Sequence, residues 1–210
     1  MDEIVVRVTR VLASQPRLRL LVLLAQGEQT PTQLARTLAM SLGTVSKHLQ
    51  ALVFAGLIIR RKSGTWCFFH AASAYGAATF SGRLAAWLRR LLPPPGTDGQ
   101  QAGSAKGRPA SVDPSTELFR TIFEASTAFT DLRRLQVLRY LERHPDATAQ
   151  ALTESLRMSP PALHRHMQKL IRRGYVQTQL AGHALVYRLQ PAAKTPTHKH
   201  LFDIVRDTWT

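Results

Sequence analysis

The sequence predicts a mainly α protein with small β-hairpin wings, built as two tandem copies of one module. Three observations predict it: a self-match at a fixed offset, the same order of three amphipathic helices and a hairpin in each half, and a Pro- and Gly-rich stretch between the halves. Met40, Ser41, His48, Gln50, Leu52, Gly56 and Gly64 recur 118 residues later as Met158, Ser159, His166, Gln168, Leu170, Gly174 and Gly182. Arg17, Leu18, Leu21 and Leu24 recur at an offset of 117 as Arg134, Leu135, Leu138 and Leu141. The copies therefore differ by one residue in a loop, where an insertion costs little.

In the first copy, Ser14 is a candidate N-cap with Pro16 in the first turn, and Leu18, Leu21, Val22 and Leu24 follow at helical spacing up to Gly27. A second short helix is expected from Thr32 to Ala39, with Leu34 and Leu38 inward. A turn at Met40 and Ser41 leads to a third helix, in which Val45, Leu49, Leu52 and Val53 form an apolar stripe ending at Gly56. Leu57 to Arg61, a turn at Lys62 to Thr65, and Trp66 to Phe69 read as a hairpin, with Trp66 and Phe69 as core beneath it. Three helices followed by a hairpin make a winged helix.

The second copy repeats the plan, with helices over 131–143, 148–157 and 159–173 and a hairpin over 175–189. Pro160 and Pro161 fall in the first turn of its third helix, where a missing N–H is tolerated. Further helical segments are expected over 4–12 and 71–92 around the first copy, and over 115–128 and 197–208 around the second. The expected domains are therefore residues 1–92, a flexible linker at 93–112 rich in Pro, Gly, Gln and Ser, and residues 113–210.

Charge points to the partner. The chain has 210 residues and a formal charge of +15, divided as +9 over residues 1–92, +1 over 93–112 and +5 over 113–210. Such a balance favours polyanions, and double-stranded DNA is the expected partner. The single cysteine, Cys67, excludes an intrachain disulfide and suits a reducing compartment. No secretory signal pattern opens the sequence and no apolar run approaches a membrane span, so a cytoplasmic protein with no membrane partner is expected.

An α-helix fits the major groove of B-DNA, so the polar positions of the third helix are the candidate reading surface. In the first copy these are Ser41, Thr44, Ser46, Lys47, His48 and Gln50, with Ser41 also placed to cap the helix. The wing adds Arg60, Arg61, Lys62 and Thr65 as candidate phosphate contacts. The second copy offers His164, Arg165, His166 and Lys169, but its wing, Gln177 to His183, has no Lys or Arg. No Gly-rich phosphate loop, nucleophile elbow or paired carboxylates stand out, so no enzyme is expected.

The run Pro16-Arg17-Leu18-Arg19-Leu20-Leu21, then Leu34-Ala35, Thr44-Val45-Ser46-Lys47-His48-Leu49 and Ala55-Gly56-Leu57-Ile58, resembles an ArsR/SmtB-type bacterial repressor. Leu163 to Met167 and Arg173 to Val176 resemble the same family more loosely. The resemblance implies a sequence-specific transcriptional regulator of the repressor kind. It also implies pairing through terminal helices, either between the two copies of one chain, dimer-like, or in a homodimer, with recognition helices about 34 Å apart.

Many members of that family sense metals through a cysteine pair at the start of the second helix. Gln29 to Gln33 occupy that place, so no metal or other cofactor is expected. Other members use Asp and His ligands on the last helix, where this chain has His198, His200 and Asp203, but His198 and His200 are two apart and diverge, and read as solvated. Two other function classes compete: a tandem winged-helix module that binds protein, as in chromosome organisation, and a replication initiator or RNA binder.

Overall fold

The structure is a computed structural model that describes residues 1–92, 114–190 and 192–209; the expected linker lies outside these residues. It is mainly helical with small antiparallel hairpins, in the order α1 (Asp2–Leu12), α2 (Gln15–Gln26), α3 (Pro31–Thr37), α4 (Leu42–Phe54), β1 (Ile59–Ser63), β2 (Trp66–His70) and α5 (Phe80–Leu91). Then follow α6 (Pro114–Thr127), α7 (Leu132–Arg143), β3 (Ala147–Thr148), α8 (Ala149–Leu156), α9 (Pro160–Arg172), β4 (Val176–Ala181), β5 (Ala184–Leu189) and α10 (Pro196–Arg206). Two compact units emerge, Ser14–Arg120 and Met1–Ala13 with Thr121–Thr210.

In the unit containing the first copy, α2 to α4 bury Leu18, Leu21, Leu24, Leu34, Val45, Leu49 and Leu52. The start signals differ from the expected ones. Ser14 has the extended N-cap backbone but its side chain makes no cap hydrogen bond, whereas Thr30 forms a complete capping box with Gln33. The hairpin pairs Ile59 with His70 through Ser63 with Trp66, so the turn is only Gly64 and Thr65. Gly64 has φ 58°, a left-handed conformation that glycine adopts without strain.

Lys62 and Ser63 are thus strand residues rather than turn residues. Residues 71–79 are not helical: α5 begins only at Phe80, where Thr79 accepts a hydrogen bond from Gly82 N and donates one to Gly76 O.

In the other unit α7 to α9 repeat the same arrangement, and the extended pairing of the first copy's Gln29 with Phe69 reappears 118 residues on as Ala147 with Tyr187. Here it is regular enough to make β3, giving a sheet in the order β3-β5-β4. The core is aromatic: Tyr175 is packed against Phe129 with centroids 4.8 Å apart, and against Phe202 and His198 at 5.7 Å. Such tilted pairs add to the burial of large apolar surface.

The N-terminal helix departs from its expected place within residues 1–92. The Thr9 hydroxyl, 2.7 Å from Val5 O within the helix, also lies 3.0 Å from Phe129 O, Arg10 donates to Thr130 O at 2.9 Å, and Asp2 pairs with Arg139 at 2.9 Å. Val5, Val8 and Leu12 are buried. Helix α1 therefore packs with the second copy.

Candidate nucleic-acid interface

Helix α4 turns its apolar stripe inward and leaves a polar face outside. Thr44, Lys47 and Gln50 are exposed, while Ser46 and His48 are half-buried. Ser41 serves as the cap: its Oγ accepts from Thr44 N at 3.2 Å and lies 2.8 Å from Thr44 Oγ1. His48 is held below its ordinary imidazole pKa, first by partial burial and then by the positive charge of Arg17, which favours a neutral ring. The outward chemistry of this helix is therefore carried by one charge, one hydroxyl and one amide.

The wing divides its cations between two faces. Partners in an antiparallel pair share a face, so Arg60 and Lys62 lie with Phe69 and Cys67, while Arg61 lies with Phe68. Arg61 is occupied: its Nε and Nη2 donate to the two carboxylate oxygens of Glu28 at 3.0 and 2.6 Å, and its guanidinium sits 5.0 Å from the centre of the Phe68 ring. That contact raises the Arg61 pKa and lowers the Glu28 pKa. Arg60, Lys62 and Thr65 are exposed.

The expected core role of Phe69 agrees with its burial, but Trp66 is 61% exposed. It is the strand residue next to the turn, facing only Ser63 across the ladder, on the face shared with Arg61 and Phe68. The sequence reading missed it because an aromatic residue in an alternating strand ordinarily marks the inner face.

The second copy differs at each of these points. Ser159 makes no side-chain cap, and Pro160 opens α9. His164 and Arg165 are exposed, with Gln168 donating to His164 Nε2 at 2.8 Å. His166 is only 8% exposed, set against Asp131 at 4.0 Å, and burial holds its pKa below the ordinary value; it is a packed residue rather than a surface one. Lys169 is half-buried. The wing carries Thr178 and Leu180 where the first has Arg60 and Lys62, and Leu180 is 71% exposed.

No group of three or more His, Cys, Asp or Glu residues is placed to hold a metal ion among the described residues. His198, expected in solvent, is 1% exposed, with its Nδ1 2.8 Å from the Thr195 hydroxyl. No described helix is long and apolar enough to cross a membrane.

Comparison with known proteins locates both modules. Residues 14–60 match the family model of bacterial regulatory proteins of the arsR family, and residues 130–177 match that of winged helix-turn-helix DNA-binding domains. A 77-residue stretch, 37% of this chain, is 40% identical to the HTH-type transcriptional regulator Rv0324 of Mycobacterium tuberculosis. The chain spans about a third (34%) of the length of that regulator.

Among solved structures, reduced HlyU from Vibrio cholerae is similar at 27% identity and a TM-score of 0.35, over 42% of this chain and 88% of its own. A homodimeric winged helix-turn-helix DNA-binding domain from Mycobacterium bovis, a possible ArsR-family transcriptional regulator, is similar at 31% identity and a TM-score of 0.35. That match covers 50% of this chain and 89% of the other.

Proposed function

We propose that this chain is a sequence-specific DNA-binding transcriptional regulator of the ArsR type, acting as a cytoplasmic repressor, and that its first copy makes the firmer contacts. One observation carries the reading: a single compact unit presents an exposed polar recognition helix together with a cationic wing face. Thr44, Lys47 and Gln50 meet base edges in the major groove, with Ser46 and His48 at the margin. Arg60, Lys62 and Thr65 meet the backbone, and Trp66, at the hairpin tip on the opposite face with Arg61, lays its indole against the sugars or base steps.

Arg61 acts indirectly, by holding the wing to the turn before α3. In the second copy His164, Arg165 and Lys169 supply weaker contacts, with His166 supporting them from within. Pairing is dimer-like within the chain or occurs between chains through terminal helices. The reading requires no catalytic residue and no cofactor.

The test is recovery of genomic DNA fragments by the purified chain at near-physiological salt, followed by sequencing. Enrichment of a defined site, lost on Lys47→Ala, is the expected result. Uniform recovery makes the protein architectural, and no recovery favours the protein-binding module.

A further inference from the structure

The second copy holds a groove of about 490 Å³, a size usual for small-molecule sites, whose lining includes Asp131, Arg134, Arg165, His166, Lys169 and Arg172. Residues 165, 168, 169 and 172 fall one turn apart along one flank of α9, facing the N-terminus of α7. The only carboxylate among the lining residues, Asp131, already accepts hydrogen bonds from the backbone N–H groups of Arg133 and Arg134.

Arg134 forms the fixed wall. Its Nε donates to Ala128 O at 2.7 Å, and its Nη2 donates to Thr127 O and to the Thr130 hydroxyl. No ion pair forms to Arg165, Lys169 or Arg172 among the described residues. The nearby Glu124 is engaged by Arg173 and Lys194. Burial, and then the charges of Arg173, Arg134 and Arg172, make the Lys169 ammonium easier to deprotonate, with Glu124 acting in the opposite direction.

His166 supplies an independent indication. Its Nδ1 is buried 4.0 Å from Asp131 Oδ1, too far for a hydrogen bond, and has no other hydrogen-bond partner; its ring lines the groove. A buried polar atom left unpaired is costly unless something completes it. The first copy has no such groove chemistry, because Ala51 and Phe54 stand where Lys169 and Arg172 do.

We propose that this groove on the second copy binds a phosphate group, carried either by a free small anion or by a nucleic-acid backbone, with Arg165, Lys169 and Arg172 as charge partners and His166 as the inner hydrogen-bond partner. The free-anion source stands on the groove alone, and the backbone source rests on the DNA-binding function proposed above. The groove would give the second copy a task distinct from the reading of bases.

The experiment titrates pyrophosphate into the full chain at constant ionic strength and follows thermal unfolding, comparing wild type with Lys169→Gln/Arg172→Gln and with Arg60→Gln/Lys62→Gln. Both variants lose two charges, so a general ion effect moves them equally. Saturable stabilisation weakened at least tenfold only in the α9 variant supports the site; equal response in both variants, or no saturable response together with an unchanged DNA salt slope, overturns it.

The same variants measured on duplex DNA separate the sources. Loss of about two from the salt slope in the α9 variant identifies the backbone, and an unchanged slope with pyrophosphate binding lost identifies a free anion. If the chain binds no DNA at all, the proposed function fails while the pyrophosphate titration still decides the groove.

Discussion

The two copies keep one scaffold and carry their charge in different places. In the first, the wing holds Arg60 and Lys62 and the flank of α4 holds Ala51 and Phe54; in the second, the wing holds Thr178 and Leu180 and the flank of α9 holds Lys169 and Arg172. Yet in both copies a carboxylate at the same position ties down the wing, through the first strand (β1) in one and the second (β5) in the other. Glu28 grips Arg61, and Asp146, its counterpart 118 residues on, grips Arg188 at 2.6 Å. The difference teaches that the fold demands the anchor, whereas the position of the remaining cations is free to follow the ligand.

The largest contrast is expected in acid. His198 has a pKa of about 4 in the fold, caused first by burial and then by Lys194, against about 6.5 when exposed. Between those values the unfolded chain binds a proton that the native state does not. Stability is therefore complete above about pH 6.5 and falls as the pH drops towards 4, by at most about 3 kcal/mol. The residue one turn before the buried pair Leu84 and Ala85 in α5 is Ser81, which does not titrate, while His198 precedes Leu201 and Phe202 by the same step. Hydrogen exchange at pH 7 and 4.5 should show the second copy opening first, and His198→Gln should flatten its pH dependence; equal opening of both copies would break the comparison.

Next in size is Lys47→Ala, expected to weaken specific DNA binding by about 1–3 kcal/mol, roughly fivefold to 150-fold. Arg165→Ala should cost the same site less than threefold. Titration of labelled operator fragments measures both, and equal losses would remove the ranking of the copies.

Removing Arg60 and Lys62 together should lower the salt slope of binding by about two, since each phosphate contact contributes about 0.9. Arg61→Gln should leave that slope unchanged, because its guanidinium is already held by Glu28. Grafting the pair onto the second wing, as Thr178→Arg/Leu180→Lys, sharpens the comparison: a steeper slope means that wing also reaches DNA. The smallest effect is expected from Trp66→Ala, about threefold to tenfold in affinity with the slope unaltered, which separates an apolar contact from a charged one.

Helix order, hairpins and repeat offset are legible in the sequence because apolar spacing and turn glycines are local signals. Other features depend on distant partners. Nothing near Arg61 announces Glu28, 33 residues away. Trp66 and His198 exchange their expected environments because Trp66 stands at the hairpin tip opposite only Ser63, while His198 packs in the aromatic cluster around Tyr175. The turn before each recognition helix is built on Ala39 (φ 51°) and Arg157 (φ 48°), left-handed residues that are not glycine and so leave no compositional trace. Of the candidate reading surface, Thr44, Lys47 and Gln50 were recoverable from helical phase alone, whereas the inward lean of His48 and His166 was not.

Helix α1 adds a consequence for how the chain is made. It is translated ahead of the first copy, yet its docking surface includes Phe129, 120 residues later. At ordinary synthesis rates that is a wait of roughly 10 s, during which the first copy can close without it. The second copy then completes itself with a segment translated before either module existed, so cutting the chain between its repeats would separate α1 from the body that shelters it.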